Sequence, residues 1–486
     1  MKILIATPEL TPFIKVGGLG DVAGALPKSL ENLGHQVRIV CPLHREIEIN
    51  ASFKEHASPL FVKLKELHYA KVWETKLPNS KIKVYFIEYQ KYFDRSDLYT
   101  ASNGNSYSDN GYRFAFFSRA AIDLLSYVNW FPDVIHCHDW TTGFIPLYLN
   151  TTDGHTRLGK IATLFTIHNI QHQGYCEQAV IDYANLPPET FRDDCAEAMG
   201  AVNMLKAGLY ESTKISTVSQ QYAKEIQMAD YGYGLDDLLR FRAADLVGIL
   251  NGIDDHLWNP ETDPYLAAPY SYYNLRPKAI CKDFLQHKMG LKKLPNVPIF
   301  GVVSRLYEQK GLDFLADIAD AILKDMEIQL VILGAGDPYL ESRFKDIAKR
   351  YPKQVGVHIG RNTPLSHQVE AGSDFFVMPS RFEPCGLNQM YSMRYGTPPI
   401  VRSTGGLVDS VQQYQENSEK GSGFMFEEAS AHALYYSIGW ACSTYYDRKG
   451  DYLKLQYQGM QCDFSWEGSA KKYVQLYQWA IETRQV

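Results

Sequence analysis

The sequence predicts an α/β protein made of two doubly wound, Rossmann-like domains facing each other across a deep cleft. Three observations carry this. Apolar runs of strand length alternate with helix-period stretches along the chain, the alternation restarts near residue 299, and the turn-rich stretch "GILNGIDDHLWNPETDPY" (248–265) lies between the two series. Buried strands separated by helices specify a parallel sheet covered on both faces.

The first series consists of "KILIA" (2–6), "QVRIV" (36–40), "KVYFI" (83–87), "DVIHC" (133–137), "ATLFTI" (162–167) and "KISTVS" (214–219). Between them lie helical stretches, 21–33 with Ala23, Leu26, Leu30 and Leu33 on one side, and 113–127 with Phe114, Phe117, Ala121 and Leu125. The second series is "IFGVV" (299–303), "QLVILG" (329–334), "VGVHIG" (355–360), "DFFVMP" (374–379) and "PPIVR" (398–402), with helices at 311–324, 339–350 and 386–395. A last helix, 468–484, carries Tyr473, Leu476, Tyr477 and Trp479 close to one face and needs a partner, on the first domain or on its own. The expected domains are 1–247, 248–467 and the helical tail 468–486.

Composition narrows the function. The 486 residues include 49 Lys and Arg against 55 Asp and Glu, a formal charge of -6, and 45% are hydrophobic. That is a globular composition with enough chain for more than one core. No long basic tract offers itself to a nucleic-acid backbone. Eight cysteines without CxxC pairing point to reduced thiols. No apolar run reaches membrane-spanning length and the chain opens on a strand, so neither a membrane anchor nor a leader is expected, and the expected compartment is cytoplasmic.

Parallel sheets bind ligands at the C-terminal ends of their strands, and the motifs cluster there. In "FIKVGGLGDVAG" (13–24), Gly17, Gly18 and Gly20 let backbone amides approach a phosphate at a helix start near Asp21, with Lys15 adding a point charge, or else they serve a tight turn. The spacing matches neither GxGxxG nor a P-loop. "VVSRLYEQKG" sets Arg305 and Lys310 above a strand end, where two cations suit a diphosphate that gains charge as its bond breaks, or are ordinary surface cations. In "PSRFEPCGLNQMYSMRYG" (379–396), Glu383 can accept bonds from sugar hydroxyls while Cys385, Gly386 and Leu387 lead into a helix. "STGGLVDSV" (403–411) repeats a Gly-Gly turn before a helix, with Thr404, Gly405 and Gly406. In "IHCHDW" (135–140) and "FTIHNIQHQG" (165–174), His138 with Asp139 and His168 with Asn169 orient a substrate or form turn hydrogen bonds. Without HExxH or cysteine at ligand spacing, no metal site is expected.

Together, "KVGGLGDV" (15–22), "HDW" (138–140), "HNIQHQG" (168–174), "LKAGLYES" (205–212), "NGID" (251–254), "SRLYEQKG" (304–311), "GAGDP" (334–338), "SRFEPCGL" (380–387), "YGTPPIVRSTGGLVDSV" (395–411) and "FSWEGSA" (464–470) closely resemble the bacterial glycogen synthases and plant starch synthases. These are retaining glucosyltransferases that use a nucleotide-sugar donor. The resemblance implies a GT-B fold, an α-1,4-glucan acceptor held mainly by the N-terminal domain, and nucleotide-glucose held mainly by the C-terminal one. It implies transfer from ADP-glucose to the non-reducing glucan end, with no resident cofactor, no nucleic-acid partner and no membrane. UDP-glucose as donor, another GT-B transferase or a glucan phosphorylase are the alternatives. A bacterial cytoplasm is the implied location, or a plastid for a processed chain.

Carried over residue by residue, the resemblance sets Lys15 at the diphosphate, Asp21 on the ribose or phosphate side and His168 by the glucose. Arg305 and Lys310 clamp the diphosphate, Glu383 sits by the sugar, Cys385, Gly386 and Leu387 line the same wall, and Thr404, Gly405 and Gly406 form a second phosphate-side turn. Lys282 in "LRPKAICKDFLQHKMGL" (275–291) matches a lysine beside the donor, although Pro277 and Cys281 depart from the family pattern and Pro277 should stiffen the approach to that helix.

Overall fold

The protein's structure, a computed structural model, describes residues 1–101 and 104–485. It divides into two compact units, Met1–Gly252 together with the chain from Trp466 onward, and Ile253–Ser465.

The first unit is built on a ten-stranded sheet. Seven strands run parallel, in the order Leu246–Gly248, Lys214–Thr217, Ala162–Ile167, Val134–His138, Lys2–Ala6, Gln36–Pro42 and Lys83–Glu88. Ile3, Leu4, Ile5 and Ala6 are all buried, which is why "KILIA" reads as a continuous apolar run: its strand is central and covered on both faces. From Lys2–Ala6 the chain winds outward first through Gln36–Pro42, then back on the other side from Val134–His138. The order therefore reverses between the strands Lys2–Ala6 and Val134–His138, the topological switch point where such sheets bind ligands.

Three antiparallel strands, Leu67–Lys76, Leu60–Lys63 and Lys54–Glu55, extend the sheet beyond Lys83–Glu88. They are absent from the sequence-based expectation. In "LHYAKVWETK" the buried residues Ala70 and Val72 alternate with exposed Leu67, Tyr69 and Lys71, so no apolar run announces the strand.

The final helix, Trp466–Gln485, belongs to this first unit. Trp466, Ala470, Tyr473, Leu476, Tyr477 and Ala480 form a buried stripe in one apolar cluster with Val22, Leu26, Val134 and Leu164. Trp479, expected on that face, points outward and is 45% exposed. Arg484 ties the helix end down by donating to the Gly159 carbonyl (2.9 Å) and Asn150 Oδ1 (2.6 Å).

The second unit holds six parallel strands in the order Val355–Ile359, Gln329–Gly336, Ile299–Leu306, Phe375–Met378, Pro399–Arg402 and Phe424–Phe426. Its switch point falls between Ile299–Leu306 and Phe375–Met378. The helix Leu312–Asp325 buries Leu312, Leu315, Ala319, Ile322 and Leu323 at helical spacing against this sheet. Pro277 sits at the N-cap of the helix Lys278–Lys288 with φ -67°, just outside the first turn, so its missing N–H costs no bond within the helix. Cys281 is buried beside Tyr270 and Ala371. Among the described residues no helix is long and apolar enough to cross a membrane, and all eight cysteines are free thiols.

Candidate active site

At the switch point of the second unit, the loops after Ile299–Leu306 and Phe375–Met378 bring Lys310 and Glu383 together. Lys310 Nζ lies 2.6 Å from Glu383 Oε2, and both side chains are largely buried. Ser380 Oγ donates to the same oxygen at 3.0 Å. The Arg305 side chain is exposed and, among the described residues, makes no ion pair or hydrogen bond, only a distant approach to the Tyr307 ring.

A third loop, after Pro399–Arg402, locks onto the second. The Gly406 N–H donates to the Glu383 carbonyl at 3.0 Å. Gly405 has φ +47°, and a Cβ there would stand 1.9 Å from that carbonyl oxygen; a Cβ on Gly406 would stand 2.1 Å from the Cys385 carbonyl. The Thr404-Gly405-Gly406 turn is thus glycine-rich because two backbones meet there. Buried Arg402 fastens the same loops by donating to the carbonyls of Ser380 (2.8 Å), Arg381 and Glu427 (3.1 Å). Gln389 Nε2 reaches back to the carbonyls of Cys385 (3.1 Å) and Gly386 (2.9 Å), so the turn through Leu387 is held from inside the helix Asn388–Arg394.

Lys282 is elsewhere. Its Nζ pairs with Asp374 at 2.7 Å and donates to the Pro295 carbonyl, while Asp374 accepts from the Ile299 N–H. Asp374 and Ile299 stand at the N-terminal ends of their strands, so Lys282 braces the edge of the sheet opposite Lys310 and Glu383. The expected place beside the donor is corrected: with a carboxylate and a carbonyl at the sheet's far edge to satisfy it, this lysine is structural.

At the switch point of the first unit, the helix Gly18–Asn32 starts from the opening motif. Lys15 pairs with Asp21 at 2.6 Å. The amides of Val16 and Gly17 do not stand open for a phosphate: both donate to Glu9 Oε2, at 2.8 and 2.9 Å, while Tyr99 OH donates to Glu9 Oε1 at 2.8 Å. The fold's own carboxylate occupies the start of the motif. Burial raises the Glu9 carboxyl above its ordinary range, against the opposing pull of the two amides and the tyrosine. Gly17 is a different kind of glycine from Gly405: its φ is -140° and no atom lies within 4 Å of an added Cβ. Gly18 opens the helix beside it.

Across the switch point, Asp139 takes a left-handed backbone conformation, φ +56°, and accepts from the His168 N–H at 2.7 Å, joining the loops after Val134–His138 and Ala162–Ile167. His138 is fully buried and meets His168 edge to edge, Nδ1 to Nε2 at 2.9 Å. It cannot touch a ligand directly, which corrects its expected binding role. His168 is half-buried, and burial pushes its pKa down to about 3, so its imidazole is neutral. Glu9, Tyr99, Ser380 and Arg402 escaped the sequence reading. Glu9 and Arg402 share one signal, a charged residue at a strand's C-terminal end next to a glycine-rich turn. Among the described residues no group of three or more His, Cys, Asp or Glu side chains is placed to hold a metal ion.

Residues 2–241 match the family model of the starch synthase catalytic domain, and residues 285–448 that of glycosyl transferases group 1. The chain is 46% identical to glycogen synthase 1 of Geobacter metallireducens over 100% of its own length and 97% of that protein's. It is 40% identical to the glycogen synthase of Treponema denticola, covering 100% and 99%. The chain belongs to the glycogen and starch synthase family.

Its fold is the GT-B fold of that family. The catalytic domain of starch synthase IV from Arabidopsis thaliana, solved bound to ADP and acarbose, superposes with a TM-score of 0.91 at 33% identity over 99% of both chains. Sucrose-phosphate synthase from Thermosynechococcus elongatus, 17% identical over 98% of both chains with a TM-score of 0.61, shares the fold alone.

Proposed function

We propose that this family member is a hexosyltransferase that moves glucose from ADP-glucose to the non-reducing end of an α-1,4-glucan with retention at the anomeric carbon, in a bacterial cytoplasm. The observation that carries this reading is the full-length likeness to glycogen synthases in a chain whose Arg305, Lys310 and Glu383 share one switch point. The bacterial relatives and the ADP-bound plant relative support the adenine nucleotide.

In this reading the second unit, expected at 248–467, serves the donor, and the first, expected at 1–247, serves the glucan. Lys310 has three N–H donors and gives one to Glu383, which leaves two for the diphosphate. Arg305 supplies a second cation. As the glucosyl C1–O bond lengthens, its electron pair goes to the phosphate, and fixed cations stabilise the growing charge. The acceptor hydroxyl attacks C1 from the face the diphosphate leaves and passes its proton to the departing phosphate oxygen. Glu383 is not the nucleophile: its Oε2 takes both Lys310 and Ser380, so it holds the lysine and meets sugar hydroxyls with its other oxygen. Lys15 and Asp21, with Gly18, are assigned to the donor, and the neutral His168 to the glucose.

The test is release of nucleoside diphosphate in the presence of glycogen, with ADP-glucose and UDP-glucose supplied separately at equal concentration, and with digestion of the product to establish α-1,4 linkage. A parallel arm supplies orthophosphate and glycogen. Faster release from UDP-glucose overturns the donor assignment, and glucose 1-phosphate formed without nucleotide overturns the synthase reading in favour of a phosphorylase.

A further inference from the structure

Behind His168 two buried imidazoles and a tyrosine form a continuous chain. Tyr477 OH, from the final helix, meets His136 Nδ1 at 2.8 Å, and His136 Nε2 meets Thr166 Oγ1 at 2.6 Å. The His136 ring packs against His138, tilted by 33°, with centroids 4.0 Å apart. His138 then meets His168. His136 is anchored at both nitrogens, so His138 packs against a fixed surface and has little room to turn.

We propose that His138 is a positioning residue that fixes the tautomer of His168, donating from its own Nδ1–H to His168 Nε2 and so compelling His168 to carry its proton on Nδ1. Two neutral imidazoles joined nitrogen to nitrogen share one proton, and there are two ways to arrange it. If His168 donated, His138 would carry its proton on Nε2. That nitrogen is buried and has no hydrogen-bond partner among the described residues. A buried N–H without an acceptor is the rarer and costlier defect, whereas an unpaired lone pair is tolerated. The proton therefore belongs on His138 Nδ1. Burial holds the pKa of both rings far below neutrality, so neither escapes the choice by taking a second proton.

The consequence rests on the proposed function: His168 Nδ1, which takes no protein partner among the described residues, presents a hydrogen-bond donor to a hydroxyl oxygen of the transferred glucose. An acceptor in its place would select a different hydroxyl orientation.

The experiment is nitrogen-15 labelling of the histidines in the full chain, with long-range proton–nitrogen correlation at neutral pH and assignment of His168 by difference against His168→Gln. The expected spectrum shows a protonated Nδ1 and an unprotonated Nε2 on His168. A protonated Nε2 overturns the proposal. Two variants give a second readout. His138→Asn places an amide N–H near the position of Nδ1 and should keep the His168 tautomer and most of the turnover. His138→Phe removes the donor, and turnover should fall about 10-fold, the worth of one hydrogen bond, with the Michaelis constant for ADP-glucose little changed. Equal losses in both variants, or a raised Michaelis constant alone, also overturn it. The tautomer is read without substrate, so a chain that fails to use ADP-glucose yet shows the expected spectrum defeats the functional reading and leaves this inference standing.

Discussion

Lys310 and Glu383 form one ion pair, 2.6 Å between Nζ and Oε2, across loops 73 residues apart in sequence. Under the proposed function, the cation assigned to the diphosphate is thereby held in place by the carboxylate assigned to the sugar. The two functions can be separated by mutation.

Lys310→Ala should lower turnover at saturating ADP-glucose by on the order of 100-fold or more, the usual cost of removing a donor from a developing oxyanion. It should also destabilise the second unit by about 3 kcal/mol, because Glu383 is left buried without its counter-charge and keeps only the Ser380 hydroxyl. Arg305→Ala should lose rate and leave stability unchanged, since its guanidinium is exposed and unbonded among the described residues. Donor titrations of both single variants and the double variant at saturating glycogen, beside urea unfolding curves, distinguish the two effects. Near-parental turnover in Lys310→Ala would reduce the residue to a binding contact.

The two glycine turns should respond oppositely to alanine. Gly17→Ala meets open space, so its cost in stability should stay under about 1 kcal/mol, while the Michaelis constant for ADP-glucose rises on the order of 10-fold if the donor approaches there. Gly405→Ala drives a Cβ to within 1.9 Å of the Glu383 carbonyl at a φ of +47° and should cost about 3 kcal/mol or more. Thermal unfolding and donor kinetics of the pair check both statements.

Asp139 makes stability depend on pH. Burial pushes its carboxyl from an ordinary 3.8 up to about 8. Between those values the folded chain holds a proton that the unfolded chain has released. The group's contribution is therefore complete below pH 3.8 and is lost as pH rises towards about 8, with a slope of at most about 1.4 kcal/mol per pH unit. Asp139→Asn should flatten that slope while still accepting from the His168 N–H. Denaturant unfolding at several pH values across this window measures it, and an unchanged slope in the variant rejects the assignment.

Tyr477→Phe deletes only the hydroxyl that meets His136 Nδ1 at 2.8 Å. The buried imidazole is left without that partner, at about 1–3 kcal/mol. Trp479→Ala, two residues on but facing outward, should fall within about 0.5 kcal/mol of the parent. Equilibrium unfolding of the two variants side by side tests the burial stripe of the last helix.

Much of this architecture was readable in advance because central parallel strands are buried on both faces. "KILIA" and "ATLFTI" coincide with strands Lys2–Ala6 and Ala162–Ile167 for that reason. The antiparallel extension was not readable: "LHYAKVWETK" has one wet face, and its charges hide the alternation. The loop residues were singled out by chemistry at strand ends; the ion pair between Lys310 and Glu383 was not foreseen, because it joins loops 73 residues apart. Lys282 was set beside the donor by resemblance alone, and nothing in "LRPKAICKDFLQHKMGL" shows that its helix leads to the N-terminal ends of the strands, where Asp374 waits. Glu9 was missed because a carboxylate that fills its own helix start leaves the glycine motif unchanged. His138 and Asp139 were singled out by type, yet only the fold distinguishes a ring that touches a ligand from one that steadies its neighbour.

The stripe of Ala470, Tyr473, Tyr477 and Ala480 belongs to the core of a unit that begins at Met1. During synthesis, then, the first domain cannot close when its own stretch leaves the ribosome. Its sheet must wait, with Val134 and Leu164 uncovered, until the whole intervening domain and the last helix have been translated. At a synthesis rate of roughly 5–20 residues per second that delay lasts about ten seconds or more. The nascent first half is therefore the stage at which chaperones and proteases have the most time to act, and a stop codon a few turns early would leave the opening domain, rather than the closing one, unfinished.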